Sequence, residues 1–382
     1  MSVASSETDT ERTRALRERM VTGLVDSGAL TDDAWRHSFT VVPRHALVPR
    51  FYRTNDRAVI DSTNPEDAAI WLETVYSNKT LVTQITPTDV TSSGTMPGLI
   101  AKMLTALRIN TGDNVLQVGT GTGYTAALLC ERLGSNKVTT VDLDPDLSND
   151  ARTRLGHVGY TPTVVTGNGA QGYAPDAPYD AILATCALRR IPACWLAQAA
   201  PGARIVAPLA TGLLALDVTG PEQAGGRFLT PGGFFMPLRD TNQKDLPPTP
   251  SHGIRRDPRP TDLGPRQTFY EDHLRFLLTV ALPDVCTAQH GPTWEDLTIS
   301  DSAGSTARLD RAENGAFLVT ETGPRTLWNE VEHLHQQWQT WGRPHRESYG
   351  LTIDGESQTI WLDEPRDAPT WPLPSGVQVV TH

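Results

Sequence analysis

The sequence predicts an α/β protein with a doubly wound sheet, a helical N-terminal extension and a smaller C-terminal α+β domain. Short apolar runs alternate with helical patterns between residues 115 and 208, which is typical of a parallel sheet covered by helices on both faces. Ligands of such sheets bind beyond the carboxyl ends of the strands, so we expect a ligand site at that edge. The predicted strands are Val115–Val118, Val138–Asp142, Thr163–Thr166 and Tyr179–Ala184.

The N-terminal extension is predicted to begin with helices. Residues 9 to 28 have a helical pattern, and Thr31-Asp32-Asp33 supplies capping side chains for a second helix. Residues 50 to 90 are mixed in character, and we expect them to form loops over the ligand site. The first region, 1–90, is therefore assigned to N-terminal helices and a site-covering segment.

A glycine-rich turn follows the first predicted strand of the sheet. It lacks the third glycine of the dinucleotide spacing G-x-G-x-x-G, and it lacks the lysine of a phosphate-binding loop. The spacing G-x-G-x-G after an apolar strand is instead typical of S-adenosyl-L-methionine (SAM) methyltransferases; a tight turn without a ligand is the alternative. The residues of this turn predicted to bind SAM are Gly119, Thr120, Gly121, Thr122, Gly123 and Tyr124.

An acidic residue ends the second predicted strand. Asp142 follows the glycine turn at roughly the twenty-residue distance at which a carboxylate meets a ribose diol, and it can accept two charge-assisted hydrogen bonds there. Asp144 is the competing candidate, but Asp142 directly follows the apolar run. The other predicted cofactor residues are Leu143 beside it, and Gly167, Asn168 and Gly169 after the third strand.

Three passages resemble the protein-L-isoaspartate O-methyltransferase family. The first is GTGTGY, from Gly119 to Tyr124. The second, GNGAQGYAPDAPYDAILAT at 167–185, is similar to the family's GDGxxG and APFDxI patterns. The third is Thr95-Met96-Pro97, which is similar to the family's S-x-P helix start, and VPRH at 42–45 matches an earlier element. The resemblance covers roughly residues 10 to 240 and implies a class I SAM-dependent methyltransferase with a Rossmann-like sheet.

The resemblance implies methyl transfer from SAM to a side-chain carboxylate, with S-adenosyl-L-homocysteine as the product. A carboxylate is already ionised at neutral pH, so the site needs a hydrogen-bond donor to aim the oxygen and no general base. Thr95, which replaces the family's serine, is the candidate catalytic residue; a helix N-cap before Pro97 is its alternative role. Ser93, Met96 and Pro97 are predicted to contact the substrate, and Ser93 is the alternative hydroxyl.

The acceptor is the least determined part of the reaction. A methyl ester lets the neighbouring backbone nitrogen expel methanol and close a succinimide, also called aspartimide, which can hydrolyse to isoaspartate. The added methyl group of Thr95 and the long C-terminal region favour an ordinary aspartate in one specific peptide. The chain also resembles longer relatives associated with ribosomal peptide biosynthesis of the lanthipeptide and graspetide type. General isoaspartyl repair, a non-catalytic binding protein, and RNA methylation are the alternatives.

Asn168 is a second departure from the family, which has an acidic residue there that meets the adenine amino group. An asparagine oxygen can still accept that hydrogen bond, so the predicted cofactor remains SAM.

Composition limits the partners. Against 44 acidic residues the chain has 33 Lys and Arg, giving a net charge of −11, which argues against a nucleic-acid partner. No apolar run is long enough to span a membrane, and the first twenty residues have no apolar signal core. The four cysteines show no C-x-x-C pairing, and no metal site is indicated. We expect a cytoplasmic, monomeric enzyme whose partner is a peptide or protein substrate, including a modified ribosomal precursor peptide.

The catalytic region is predicted at 91–240, and a proline-rich linker at 241–265 follows it. The second domain, 266–382, has a helical pattern from about 326 to 341 whose apolar stripe is assigned to core packing rather than to a peptide groove. Two strand patterns, 349–353 and 358–362, flank Asp354-Gly355 and predict a hairpin.

Overall fold

The computed structural model describes residues 10–239, 255–290, 296–312, 315–363 and 369–374. The chain divides into two compact units, each made of several segments. The first unit comprises Met1–Pro208, Leu213–Gly225 and Gly233–Thr241; the second comprises Leu209–Gly212, Gly226–Gly232 and Asn242–His382. Residues 241–254 of the predicted linker lie outside the described residues and stay a prediction. Its described end is not a linker, because Arg259–Thr261 forms a strand that pairs with residues 317–319 in the sheet of the second unit.

The first unit opens with two capped helices, as predicted. The side chain of Thr10 accepts a hydrogen bond from the Thr13 amide, and Asp32 does the same for Trp35. The segment expected to be loops instead forms a small antiparallel sheet in the order β2-β1-β3-β4, whose strands are too short for a clear periodic signal. These elements are α1 (Glu11–Asp26), α2 (Asp33–Val41), α3 (Arg44–Leu47), β1 (Arg50–Tyr52), β2 (Val59–Asp61), α4 (Ala68–Val75), β3 (Leu81–Ile85) and β4 (Val90–Gly94).

The predicted doubly wound sheet is confirmed. Its parallel strands run in the order β9-β8-β5-β6-β7, and β5 is buried along its whole length. Chain order reverses between β5 and β8, which makes their carboxyl ends the expected ligand crevice. The elements are α5 (Pro97–Leu107), β5 (Val115–Val118), α6 (Tyr124–Leu133), β6 (Val138–Asp142), α7 (Pro145–His157), β7 (Thr163–Thr166), β8 (Tyr179–Ala184), α8 (Ala193–Gln198), β9 (Ala199–Leu209), β10 (Gly212–Gly220) and β11 (Gln223–Leu229).

The second unit is α+β, as predicted. It has an antiparallel sheet in the order β12-β16-β15-β14-β13 and a β17–β18 hairpin with Asp354 opposite Ser357. The apolar stripe of α10 is buried at Leu327, Val331, Leu334 and Trp338, which is core packing. The elements are β12 (Arg259–Thr261), α9 (Asp272–Ala281), β13 (Val285–His290), β14 (Asp296–Asp301), β15 (Thr306–Arg311), β16 (Phe317–Thr322), α10 (Leu327–Thr340), β17 (Tyr349–Asp354), β18 (Ser357–Leu362) and β19 (Trp371–Pro372).

None of the helices in the described part of the chain combines the length and apolar character that a membrane crossing requires. In the same residues, no group of three or more His, Cys, Asp and Glu side chains is arranged to hold a metal ion.

Candidate functional site

The glycine turn joins β5 to α6 in a conformation that requires glycine. Gly119 has φ +93° and Gly123 has φ +90°, both in the left-handed region that side chains disfavour. A Cβ on Gly119 would also lie 2.7 Å from the Thr185 hydroxyl oxygen. Glycine is therefore required at position 119 both by the backbone conformation and by the close packing of Thr185.

Hydrogen bonds from polar side chains stabilise this turn. The Thr120 and Thr140 hydroxyl oxygens are 2.8 Å apart, and the Gln117 amide donates to the Gly119 carbonyl at 2.8 Å. The Thr185 hydroxyl donates to the same carbonyl at 2.9 Å. The side chain of Thr120 is thus engaged with β6. We expect any contact it makes with a cofactor to come from its backbone.

Asp142 and Asp144 have different roles in the structure. Asp142 is 8% exposed; its carboxylate accepts from the Gly121 amide at 2.9 Å and from the Asp144 amide at 3.2 Å. Asp144 is the N-cap of α7: it accepts from the amides of Asp146 and Leu147, and from the Gln84 side chain at 3.0 Å. Burial opposes ionisation of Asp144, but these hydrogen bonds and the nearby Arg239 charge outweigh it and lower its pKa. Asp144 is thus engaged as a helix cap, and Asp142 stays the predicted ribose acceptor.

A solvent-open cavity lies at the ends of these strands, and its empty space, open solvent included, is about 600 Å³. Two groups of residues line it, which we call the strand-end lining and the flanking lining. The strand-end lining is Val118, Gly119, Gly121, Val141, Asp142, Leu143, Leu147, Gly169, Thr185 and Cys186. The flanking lining is Thr91, Ser92, Ser93, Met236, Pro237, Leu238 and Arg239.

Six of the predicted site residues line this cavity. The others are close in sequence to lining residues but do not line the cavity themselves. Those that line it are Ser93, Gly119, Gly121, Asp142, Leu143 and Gly169. Those that do not are Thr95, Met96, Pro97, Thr120, Thr122, Gly123, Tyr124, Gly167 and Asn168. Their assignments stay predictions.

The turn after β7 packs closely under the cavity. A Cβ on Gly169 would lie 2.5 Å from Val118, and the Gly169 carbonyl accepts from the buried Trp195 indole at 2.9 Å. Asn168 accepts from the Ala170 amide through its side-chain oxygen at 2.9 Å. The predicted contact of Asn168 with the adenine amino group stays a prediction.

Tyr124 is buried rather than placed on the cavity wall. Its ring meets Phe39 edge-on at 6.2 Å between centroids, and the Arg44 guanidinium lies 5.4 Å from its centre. Burial raises the pKa of its hydroxyl, which has no hydrogen-bond partner among the described residues. Packing of α6 is thus the role that the structure gives to this side chain.

The start of α5 corrects one expectation. The N-cap is Met96, not Thr95, and no side chain of the cap residue bonds the first turn. The Gly98 amide instead donates to the Asn78 side-chain oxygen at 2.8 Å. The capping role considered for Thr95 is therefore wrong, because Asn78 from another segment performs it. Among the described residues nothing hydrogen-bonds to the half-buried Thr95 hydroxyl.

Sequence reasoning missed Asn78, Cys186 and the residues from Met236 to Arg239. Cys186 follows β8 by two residues, so its position at a strand end was a usable signal. Met236 to Arg239 are far away in the chain and reach the cavity through backbone pairing: the Ala187 amide donates to the Met236 carbonyl at 2.8 Å. Burial raises the pKa of the Cys186 thiol to about 12, so it is neutral and a poor nucleophile.

The residues present fit SAM. The strand-end lining offers glycine backbone without side chains, a carboxylate at the end of β6, and apolar surface from Val118, Leu143 and Leu147. Asp142 is suited to the ribose hydroxyls, and the Gly119–Gly121 backbone to the amino-acid part of the cofactor.

Comparison with known proteins agrees with this site. The family model described as protein-L-isoaspartate(D-aspartate) O-methyltransferase matches residues 15–219. A protein-L-isoaspartate O-methyltransferase of Methanoculleus marisnigri is 35% identical over 197 residues, which cover 51% of this chain and 78% of that relative. The enzyme of the same name from Methanopyrus kandleri is 33% identical over 199 residues, covering 51% of this chain and 77% of that relative.

A solved structure titled protein-L-isoaspartate O-methyltransferase shares the fold. It aligns over 91% of this chain and 99% of its own, with a TM-score of 0.54 and 18% identity. The alignment extends well beyond residues 15–219, so part of the second unit also has a counterpart in that structure.

Proposed function

Since the chain belongs to the protein-L-isoaspartate(D-aspartate) O-methyltransferase family, and is a SAM-dependent O-methyltransferase, we propose that its acceptor is an aspartate side chain in a peptide. When bound, SAM supplies an electrophilic methyl group, and the carboxylate oxygen takes it to give a methyl ester and S-adenosyl-L-homocysteine. No proton has to move, because the carboxylate is ionised at neutral pH. The protein's contribution is to position the two reactants.

The proposal that the acceptor is an aspartate carboxylate depends on the Thr95 hydroxyl. It has no hydrogen-bond partner among the described residues, and it lies two residues after Ser93 of the flanking lining. Because Asn78 accepts the hydrogen bond from the first turn of α5, the Thr95 oxygen is not used to cap the helix. A free hydroxyl at this point can donate to the carboxylate oxygen that does not react.

The ester then cyclises without further help from SAM. The backbone nitrogen after the modified residue attacks the ester carbonyl, methanol leaves with the proton, and a succinimide forms. Hydrolysis of that ring gives aspartate and isoaspartate. We infer a modified ribosomal precursor peptide as the substrate, on the resemblance to longer relatives of that type and on the methyl group that Thr95 adds relative to serine.

General isoaspartyl repair is the second candidate, and two observations favour it. The curated relatives with substantial identity carry that name. The solved structure of the same title aligns over most of this chain, so the C-terminal extension does not separate a peptide-tailoring enzyme from a repair enzyme. The case for aspartate therefore depends on Thr95.

A paired-peptide assay tests the choice. Two peptides of identical sequence, one with aspartate and one with isoaspartate, are incubated separately with the enzyme and methyl-labelled SAM. We expect faster labelling of the aspartyl peptide in a constrained, cyclic form. Labelling of the isoaspartyl peptide alone would establish the repair function instead. Asp142→Ala serves as the control: at SAM concentrations below saturation it should lower methyl transfer to both peptides equally, because it weakens cofactor binding.

The effect of Thr95 is tested with the same pair. Thr95→Ser restores the family's residue and keeps the hydroxyl, so it should shift the preference towards isoaspartate while the total rate persists. An unchanged preference would remove Thr95 as an argument for aspartate.

A further inference from the structure

Charge is unevenly distributed around the cavity. Of the described residues that line it, Arg239 is the one cation, and Asp142 is the one carboxylate. Asp142 belongs to the strand-end lining and already accepts two backbone hydrogen bonds. Arg239 belongs to the flanking lining and is exposed. The proposed cofactor role of Asp142 leaves Arg239 without a function.

The Arg239 guanidinium is anchored to a backbone carbonyl, and Asp144 is the acid near it, whose pKa its positive charge helps to lower. Its Nη2 group donates to the Thr91 carbonyl at 3.3 Å. The Thr91 hydroxyl donates to Gln84 at 2.8 Å, and Gln84 donates to Asp144 at 3.0 Å. No carboxylate in the described part of the chain forms an ion pair with Arg239. Most N–H donors of the guanidinium therefore remain available to a ligand.

The reacting carboxylate is a poor partner for this cation. It carries a full negative charge before the reaction and loses that charge as the ester forms, so a cation bound to it would stabilise the ground state more than the transition state. A neutral hydroxyl such as that of Thr95 keeps its partner, because the ester carbonyl still accepts a hydrogen bond. Arg239 is better suited to an anion that does not react.

The net charge of the protein does not attract an acidic peptide, so binding of such a peptide would depend on a local cation. The protein carries −11, so an acidic peptide gains nothing from the overall field and needs a local cation to be held at the site. Arginine is suited to this role, because its planar guanidinium group can donate two parallel hydrogen bonds to a carboxylate.

We propose that Arg239 is a subsite for a second, non-reacting carboxylate of the peptide substrate, from an acidic side chain close to the acceptor residue. This inference rests on the proposed peptide function. It makes Arg239 a specificity-determining residue that acts on peptide binding and leaves the chemical step unchanged.

The test compares two peptides that differ at one position. Both carry the same acceptor residue, and the neighbouring residue is glutamate in one and glutamine in the other, on each side in turn. In the wild-type enzyme the glutamate peptide should have a KM lower by roughly three- to tenfold, with equal kcat. The preference should fall as salt is raised from low ionic strength.

Substitutions at Arg239 should remove only that preference. Arg239→Gln should raise the KM of the glutamate peptide to that of the glutamine peptide, and Arg239→Lys should restore part of the difference. Arg36→Gln is the matched control, because Arg36 is an exposed arginine on α2 paired with Asp33 at 3.2 Å. It should leave both peptides unchanged.

Two outcomes would overturn the subsite. One is an equal rise in KM for both peptides, which would mean that Arg239 only maintains the structure of the flanking lining. The other is a fall in kcat with KM unchanged, which would place Arg239 at the reacting carboxylate. If the wild type methylates neither peptide, the proposed acceptor is wrong. Fluorescence anisotropy of the same peptides on the S-adenosyl-L-homocysteine complex then still decides whether Arg239 prefers glutamate.

Discussion

The strand-end lining and the flanking lining of the cavity differ in how they are built. The first consists largely of residues at the ends of four neighbouring parallel strands, held by buried hydrogen bonds such as that between Thr120 and Thr140. The second joins Thr91–Ser93 to Met236–Arg239, two segments far apart in the chain. The proposed donor site is therefore determined by local geometry, whereas the proposed acceptor side is assembled from segments far apart in the chain.

The largest effect should come from the glycine turn of the strand-end lining. Gly119→Ala combines a disfavoured φ of +93° with a contact 2.7 Å from Thr185. We expect the affinity for S-adenosyl-L-homocysteine, measured by calorimetry, to fall by at least about a hundredfold.

Gly112→Ala is the control for backbone strain alone. Gly112 has φ +97°, but a Cβ there would meet nothing within 4 Å. This variant should lose about 1–2 kcal/mol of unfolding free energy and keep its cofactor affinity. Equal cofactor affinity in the two variants would show that the turn does not contact SAM.

The second-largest effect on cofactor binding should come from substitution of Asp142. Asp142→Ala removes the expected ribose acceptor and the partner of the Gly121 amide, so the Kd for SAM should rise by about 10- to 100-fold, as for a lost hydrogen bond to a charged group. The turnover of the saturated enzyme should change less.

Asp144→Ala distinguishes the two acids. It removes the N-cap of α7 and should cost about 1 kcal/mol of unfolding free energy with little effect on SAM binding. A normal SAM affinity in Asp142→Ala together with a weak one in Asp144→Ala would show that Asp144, and not Asp142, binds the ribose.

On the acceptor side, Thr95→Val should mainly slow methyl transfer. The change keeps the shape and removes the hydroxyl, and we expect kcat to fall by about tenfold or more with SAM affinity unchanged. Asn78→Ala should instead lower thermal stability by about 1 kcal/mol and reduce kcat less, because it loosens the first turn of α5. Loss of stability without loss of rate in Thr95→Val would show that Thr95 has only a structural role.

The smallest effect concerns Cys186. Because burial raises its thiol pKa to about 12, alkylation by iodoacetamide should be slow at pH 8 and should accelerate only well above the usual thiol pKa of about 8.5. Peptide mapping by mass spectrometry measures the rate for this residue. Alkylation of Cys186 at neutral pH as fast as that of a free thiol would mean that the thiol is not buried as the structure has it.

The sequence was sufficient for the parallel sheet and the glycine turn, because these depend on periodicity and on residues adjacent in the chain, and the family resemblance of its motifs implied the enzyme class. The fold class and the SAM cofactor are confirmed. Asn78 and Arg239 could not be predicted in the same way. Their positions depend on pairing between remote segments, such as the Asn78 bond to Gly98 and the Ala187 bond to Met236. The short strands β1 to β4 were missed for a related reason, since three to five residues give no clear period.

The most direct test of carboxyl methylation is the alkali lability of the product. After incubation with methyl-labelled SAM and an aspartyl peptide, the isolated peptide is treated with mild base and the volatile fraction is counted. A methyl ester predicts that the label leaves as methanol, either by hydrolysis or as the succinimide closes. A label that stays on the peptide through this treatment would contradict a carboxylate acceptor and with it the proposed function.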